Sequence, residues 1–154
     1  MNAKEAQFDQ TTELALGGAS RFLNVGGAGH AGRAELLFAS EVLRSLRCGS
    51  GPSPRALEWC GFVEHWMVLI QDDVFLLMGT VWRLPLSQSA LATPLLAIDP
   101  VAGWARAVGE WLTIGDPCQD LAAVGIHPEG VADRAARWLE RKLSDSDEDH
   151  IQSN

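Results

Sequence analysis

The chain has 154 residues, of which 47% are hydrophobic, and its formal net charge is −8. This composition predicts one globular domain and excludes a wholly disordered chain. The apolar run Val74–Trp82 is far shorter than the ~20 residues that a transmembrane helix needs. Residues 1–18 carry charges and lack the apolar stretch of a signal peptide, so we expect a cytoplasmic protein.

The negative charge is concentrated at the two ends of the chain. The segment 144–154 contains four acids and no Lys or Arg, and residues 1–18 contain three acids against one Lys. Charge runs of this kind are usually solvated. We therefore predict a flexible N-terminal arm at 1–18, a single folded domain at 19–143 and a disordered acidic tail at 144–154.

The first predicted element is a helix over 33–47, where apolar residues recur every three or four positions. In the glycine-rich run 26–32 that precedes it, Gly27, Gly29 and Gly32 have the GxGxxG spacing of loops that hold nucleotide phosphates. Nucleotide binding through this run is therefore one hypothesis. A glycine linker is the alternative, because the preceding strand would be short and no second strand with a suitably placed acid follows.

Four strands are predicted in the middle of the chain. Two apolar runs separated by Asp72-Asp73 predict a hairpin, since short acidic side chains suit a tight turn. A third strand is expected at 91–98 and a fourth at 104–114. We predict an α+β fold in which a four-stranded antiparallel meander, or a half-closed small barrel, packs against one N-terminal helix and two C-terminal helices.

The two C-terminal helices allow a DNA-binding hypothesis. Asp116 is placed to cap a helix over 117–124, and a second helix follows after a break that contains Gly and Pro. In a helix-turn-helix arrangement, Arg134, Arg137 and Arg141 would contact DNA phosphates. The alternative is an amphipathic helix that packs on the sheet, because acids share this surface and the acidic tail would repel DNA.

The third and fourth predicted strands carry a family resemblance. They contain the run Thr-Pro-Leu-Leu-Ala-Ile-Asp-Pro at 93–100 and Gly-Trp-Ala-Arg at 103–106, followed by Gly115. With Trp66 and Gly79 upstream, this pattern resembles a family of short bacterial proteins that is classified only as a domain of unknown function. The resemblance covers about residues 62–115 and implies a fold type and a bacterial cytoplasmic setting, and no activity.

The sequence lacks the usual patterns of catalytic and metal sites. Cys48, Cys60 and Cys118 form no CxxC pair, whereas structural zinc needs four ligands at tight paired spacing. No GxSxG nucleophile motif is present. The Asp72-Asp73 pair is explained better as a turn than as a carboxylate dyad. We therefore predict a protein that is not an enzyme and that uses no metal or cofactor.

An excess of apolar residues favours a protein-binding role. Both the odd-numbered and the even-numbered positions of the hairpin strands are apolar, so we expect both faces of the sheet to be buried by other parts of the protein. Four tryptophans exceed what one small core readily hides, and we take them as interface candidates: Trp66, Trp82, Trp104 and Trp111.

We therefore predict an interaction module that binds a protein partner or a second copy of itself. An inhibitor or adaptor of a larger protein machine, carried by a mobile element, fits this class. The alternative is that all four tryptophans are core residues and bind no partner. A DNA-associated regulator and a nucleotide-binding protein are the functional alternatives, and no membrane partner is expected.

Overall fold

The structure is a computed structural model that describes residues 32–151. The described residues form three helices and five strands: α1 (Arg33–Arg47), α2 (Pro54–Glu58), β1 (Gly61–Gln71), β2 (Val74–Arg83), β3 (Ser87–Asp99), β4 (Trp104–Ala107), β5 (Trp111–Ile114) and α3 (Pro128–Ile151). The arm predicted at 1–18 lies outside the described residues. No helix in the described part has the length and apolar character needed to cross a membrane.

The five strands form a closed barrel in the order β1-β2-β3-β4-β5. Strands that follow one another in the chain pair antiparallel, and β5 returns to pair parallel with β1. This closing contact pairs residues 61–63 with residues 112–114. The predicted α+β class is confirmed, and the predicted four-stranded, half-closed sheet is corrected to a closed barrel of five strands.

The strand predicted at 104–114 is in fact two strands. The chain folds back after Ala107, whose N–H donates to the carbonyl of Glu110 at 3.0 Å. The two halves then pair with each other, with Arg106 opposite Trp111. The sequence prediction was wrong because the apolar alternation continues through this tight turn, so the period of two alone does not reveal it.

Alternate residues of every strand fill the barrel interior. They form one buried cluster, which includes Val63, Trp66, Val68, Phe75, Leu77, Val81, Leu95, Ile98, Ala105, Ala107, Leu112 and Ile114. The wall of the barrel is tight at Gly79 of β2. A Cβ atom there would lie 2.8 Å from Cγ1 of Val63 and 3.0 Å from the carbonyl oxygen of Glu64.

The outer face of β2 and β3 is covered by α1 and α3. Their shared apolar residues form a second buried cluster, which includes Leu36, Ala39, Leu43, Leu76, Met78, Leu96, Ala135, Trp138 and Leu139. A strand that is buried on both faces has apolar side chains at successive positions, not only at alternate ones. The helices thus explain the double apolar pattern of β2.

The segment after β5 is not the helix that we predicted over 117–124. It runs beside β1, where the N–H of Cys118 donates to the carbonyl of Trp66 at 2.7 Å and the side-chain amide of Gln119 donates to the carbonyl of Val68 at 3.0 Å. Because β1 extends beyond β5, its edge would otherwise have unpaired backbone groups. These long-range bonds outweigh the local capping signal of Asp116, so α3 is the one C-terminal helix among the described residues.

The acidic tail also differs from the prediction. Helix α3 continues through Ile151, so it includes most of the segment that we predicted to be disordered from residue 144. Arg33 at the start of α1 forms an ion pair with Asp147 and donates to the hydroxyl of Ser146 at 3.2 Å. These contacts give the acidic turns of α3 a partner that the local sequence does not reveal.

We expect Gly79→Ala to lower the free energy of unfolding by about 1–3 kcal/mol, since an added methyl group overpacks the barrel wall. Denaturant unfolding followed by tryptophan fluorescence measures this change. Gly130→Ala is the matched control, because no atom lies within 4 Å of a Cβ at that position of α3. It should raise stability by up to about 1 kcal/mol; equal losses in both variants would contradict a tight wall.

Candidate functional site

Four side chains form a row across the outer face of four adjacent strands. Trp82 of β2 is opposite Phe62 of β1, Phe62 is opposite Thr113 of β5, and Thr113 is opposite Trp104 of β4. Trp111 of β5 lies on the same side, two residues before Thr113. We call Phe62, Trp82, Trp104 and Trp111 the aromatic face.

The aromatic face is partly open to solvent, and its rings are held in place. Phe62 is 38% exposed and Trp82 is 37% exposed. The indole Nε1 of Trp82 donates to the carboxylate of Glu64 at 3.0 Å. Trp104 and Trp111 are half-buried and pack edge to face, with ring centroids 5.7 Å apart and planes at 81°. Rigid aromatic side chains of this kind lose little conformational entropy when they bind.

The long helices leave this face uncovered. Helices α1 and α3 make their main strand contacts with β2 and β3. The five-residue helix α2 contacts β5. The aromatic face therefore lies on the part of the barrel wall that the helical layer does not bury.

Trp66, the fourth interface candidate, lies in the barrel interior and is 2% exposed. A bulge interrupts β1 between Glu64 and Met67, and His65 in that bulge has a φ of 50°. The extra residue shifts the alternation of side chains, so that Trp66 points into the barrel and not outward as Glu64 does. Its indole N–H donates to the carbonyl of Gly115 at 2.8 Å. Trp66 is therefore a core residue and is not available to a partner.

Arg106 lies beside the aromatic face, and sequence reasoning did not single it out as a site residue. It is 4% exposed, and its guanidinium carbon is 4.9 Å from the ring centroid of Trp111 and 5.9 Å from that of Phe38 in α1. Its Nε is buried, and no described residue forms a hydrogen bond with it. Burial lowers the pKa of the Arg106 guanidinium from its usual value. The available sequence signal was its parity, which places it on the same side of β4 as Trp104.

The acid whose charge acts on Arg106 is already engaged elsewhere. The carboxylate of Glu110 accepts two hydrogen bonds of 2.7 Å from the guanidinium of Arg83. This bidentate contact raises the pKa of Arg83. Among the described residues, Arg106 forms no salt bridge.

Two of the three arginines in the DNA-binding hypothesis hold the β1–β2 hairpin against α3. Arg134 and Arg141 bind the carboxylate of Asp73 at 2.7 Å and 2.9 Å. Arg141, and after it Arg134, keeps the pKa of Asp73 below its usual value. Arg137 lies by a shallow surface depression whose lining includes Glu140. With residues 117–124 not helical, these arginines are not presented by a helix-turn-helix.

Gly32 is the one described residue of the glycine-rich run. Gly27 and Gly29 lie outside the described residues. Gly32 directly precedes α1, and no atom lies within 4 Å of a Cβ at this position. The nucleotide hypothesis therefore stays a prediction. Within residues 32–151, no three Cys, His, Asp or Glu side chains are grouped so that they could hold a metal ion.

A scan against protein-family models and searches of curated proteins and of solved structures found no match. The resemblance to the uncharacterised bacterial family therefore stays a prediction. The functional argument depends on the chain's own geometry, in which the aromatic face and the adjacent Arg106 are two features that the core does not explain.

We expect Asp73→Asn to lower the melting temperature at pH 7, because it removes the charge bound by Arg134 and Arg141. The folded-state pKa of Asp73 is depressed below 3.8. The stability that this charge supplies is therefore present in full above that value and is lost as the pH falls through the lower folded pKa. Thermal melts between pH 7 and pH 2 should show the two proteins converging at the acid end.

Asp72→Asn is the matched control for this change. Asp72 shares the turn and also has a positive φ, 51° against 66° at Asp73, and Asn tolerates this conformation. The Asp72 carboxylate takes no part in the two ion pairs, so its loss should leave the melting temperature nearly unchanged. Equal effects of both substitutions at pH 7 would contradict a specific role for the Asp73 contacts.

Proposed function

We propose that the protein is a non-enzymatic protein-binding module and that the aromatic face is its binding surface. One observation carries the proposal: the row from Trp82 through Phe62 and Thr113 to Trp104 spans four strands outside the helical cover. Aromatic side chains grouped on an open surface favour contact with another protein, because water solvates them poorly. Tryptophan is also among the residues most enriched at the energetic centres of interfaces.

The surroundings of the aromatic face have the polar character of an interface rim. Glu64 orients the indole of Trp82 through a hydrogen bond. Arg83 and Glu110, which are next to Trp82 and Trp111 in the chain, form an ion pair at the end of the barrel, where the Arg83 guanidinium lies by Val81 and Leu112. An apolar centre with charged neighbours is the usual anatomy of a protein interface.

A partner at this surface meets side chains and not a free strand edge. Along the row, each strand is already paired on both sides: Trp82 has Phe62 and Gln88 as neighbours, and Trp104 has Thr113 and Asp99. Addition of a partner strand needs unpaired backbone groups. We therefore infer face-to-face docking, either by a different protein, as an inhibitor or adaptor would bind its target, or by a second copy of this chain.

We expect a photoreactive benzoyl-phenylalanine at position 82, in the full chain in cells of the source organism, to yield one discrete adduct upon irradiation. Mass spectrometry of the adduct identifies either a partner protein or a second copy. Trp82→Ala and Trp104→Ala should then each weaken binding of that species by at least about 10-fold, the effect of losing an interface hot spot. Calorimetry on the purified components measures the affinities.

Ile70 provides the matched control for both steps. It is an exposed apolar residue of β1, 54% accessible, near the end of that strand opposite to Phe62. The photoreactive group at position 70 should give no such adduct, and Ile70→Ala should leave the affinity unchanged. Equal crosslinking from both positions, or full affinity in Trp82→Ala and Trp104→Ala, would overturn the proposal.

A further inference from the structure

Arg106 has an unmet need for a hydrogen-bond acceptor. Its side chain is withdrawn from water, with 4% of its surface exposed, and its Nε is enclosed without a partner among residues 32–151. In folded proteins, buried charged groups are almost always paired or fully hydrogen-bonded, because desolvation without compensation is strongly unfavourable. The environment of Arg106 among the described residues is therefore incomplete.

The two aromatic rings beside Arg106 do not supply that acceptor. Trp111 and Phe38 stabilise the positive charge through their π faces. A guanidinium group, however, carries its N–H donors in its own plane, as a fork that fits the two oxygens of a carboxylate. The rings thus hold the group in one position and leave the in-plane donors of its two terminal nitrogens, which unlike Nε are not fully enclosed, for another molecule.

In the part of the chain that the structure describes, two acids are candidates for this role. Glu110 is occupied by Arg83 in a bidentate contact. Glu35, in the first turn of α1, has Oε1 3.5 Å from the Cβ position at Gly109, yet it forms no ion pair with Arg106. Neither acid satisfies Arg106 in this structure.

The position of Arg106 connects it to the proposed binding surface. Trp111 belongs to the aromatic face and is the cross-strand neighbour of Arg106. A protein seated on that face therefore comes within reach of the guanidinium. A polyanion such as nucleic acid would be repelled by the net charge of −8, whereas a single carboxylate on a folded partner can form a short-range contact with Arg106.

We propose that Arg106 is the receptor for one carboxylate, an Asp or Glu side chain of the protein that docks on the aromatic face. The proposal rests on the proposed function and adds the chemistry that the partner must present. The partner's carboxylate accepts in-plane hydrogen bonds from the two terminal nitrogens of Arg106, next to Trp111 of the aromatic face.

The first experiment uses the full chain without any partner. Acetate, as a minimal carboxylate, is titrated into ¹⁵N-labelled protein, and the Nε–H signal of Arg106 is followed against chloride at equal ionic strength. We expect a saturable shift of this signal with acetate alone. Arg55, an exposed arginine of α2 without an ion pair among the described residues, should give no comparable response. The absence of a shift at Arg106 would overturn the proposal.

The second experiment uses the crosslinked species identified for the aromatic face. Arg106→Gln should weaken its binding by about 10-fold or more, Arg106→Lys should weaken it less, and Arg55→Gln should have no effect. Changing the partner's Asp or Glu to its amide should weaken binding to the wild-type chain by the same factor. It should weaken binding to Arg106→Gln no further, as a double-mutant cycle requires for a direct contact. Melting temperatures show which variants are folded, and Arg106→Lys retains the charge if Arg106→Gln does not fold.

The outcomes separate this proposal from the proposed function. Full affinity of Arg106→Gln beside a loss in Trp82→Ala would leave the docking surface intact and overturn the carboxylate. An acetate shift at Arg106 without any effect of Trp82→Ala or Trp104→Ala would overturn the docking surface alone.

A further set of full-chain variants tests this chain's own acids: Glu5→Gln, Asp9→Asn, Glu13→Gln and Glu35→Gln. If one of them moves the Arg106 signal in the isolated protein, the carboxylate is internal and the partner proposal falls.

Discussion

The parallel contact between β1 and β5 is the interaction on which the rest of the structure depends. In a five-stranded meander the first and last strands run in the same direction, so the sheet can close only through a parallel pairing, here limited to residues 61–63 and 112–114. The chain then continues beside β1, with the N–H of Gly115 donating to Val63 at 2.8 Å and that of Cys118 donating to Trp66 at 2.7 Å. These bonds extend a short contact into a longer seam, which removes a strand edge that would otherwise invite association.

The aromatic face exists because this seam is closed. Phe62 and Thr113 are neighbours in the row only through the pairing of β1 with β5. The ring of Phe62 also occupies the space over Gly115, where a Cβ atom would lie 2.6 Å from its Cζ. The residues that close the barrel thus also place the exposed rings, so the binding surface and the fold are not separable. A change that opens the seam would disperse the surface as well.

Much of the local structure follows from the sequence, whereas the long-range structure does not. The Asp72-Asp73 turn could be predicted because both residues adopt the positive φ that short polar side chains tolerate. The helix over 33–47 could equally be predicted, because its apolar residues recur every three or four positions. The inward position of Trp66 depends on a bulge at His65, which no local pattern signals. Similarly, the segment after Gly115 has a sound helix cap in Asp116, yet the unpaired edge of β1 decides its conformation.

Arg106 shows why the candidate site was harder to predict than the fold. In the sequence it is a lone arginine in a short strand, and a solvated surface position is the natural expectation. In the structure it is a buried cation with Phe38 of α1 and Trp111 of β5 packed near its guanidinium. An arginine that is already withdrawn from water has little hydration left to lose when a carboxylate arrives, and it is poorly satisfied by a neutral group of the same shape. Burial before binding therefore favours discrimination between partners, because a partner that lacks the acid leaves the charge unpaired inside an apolar interface.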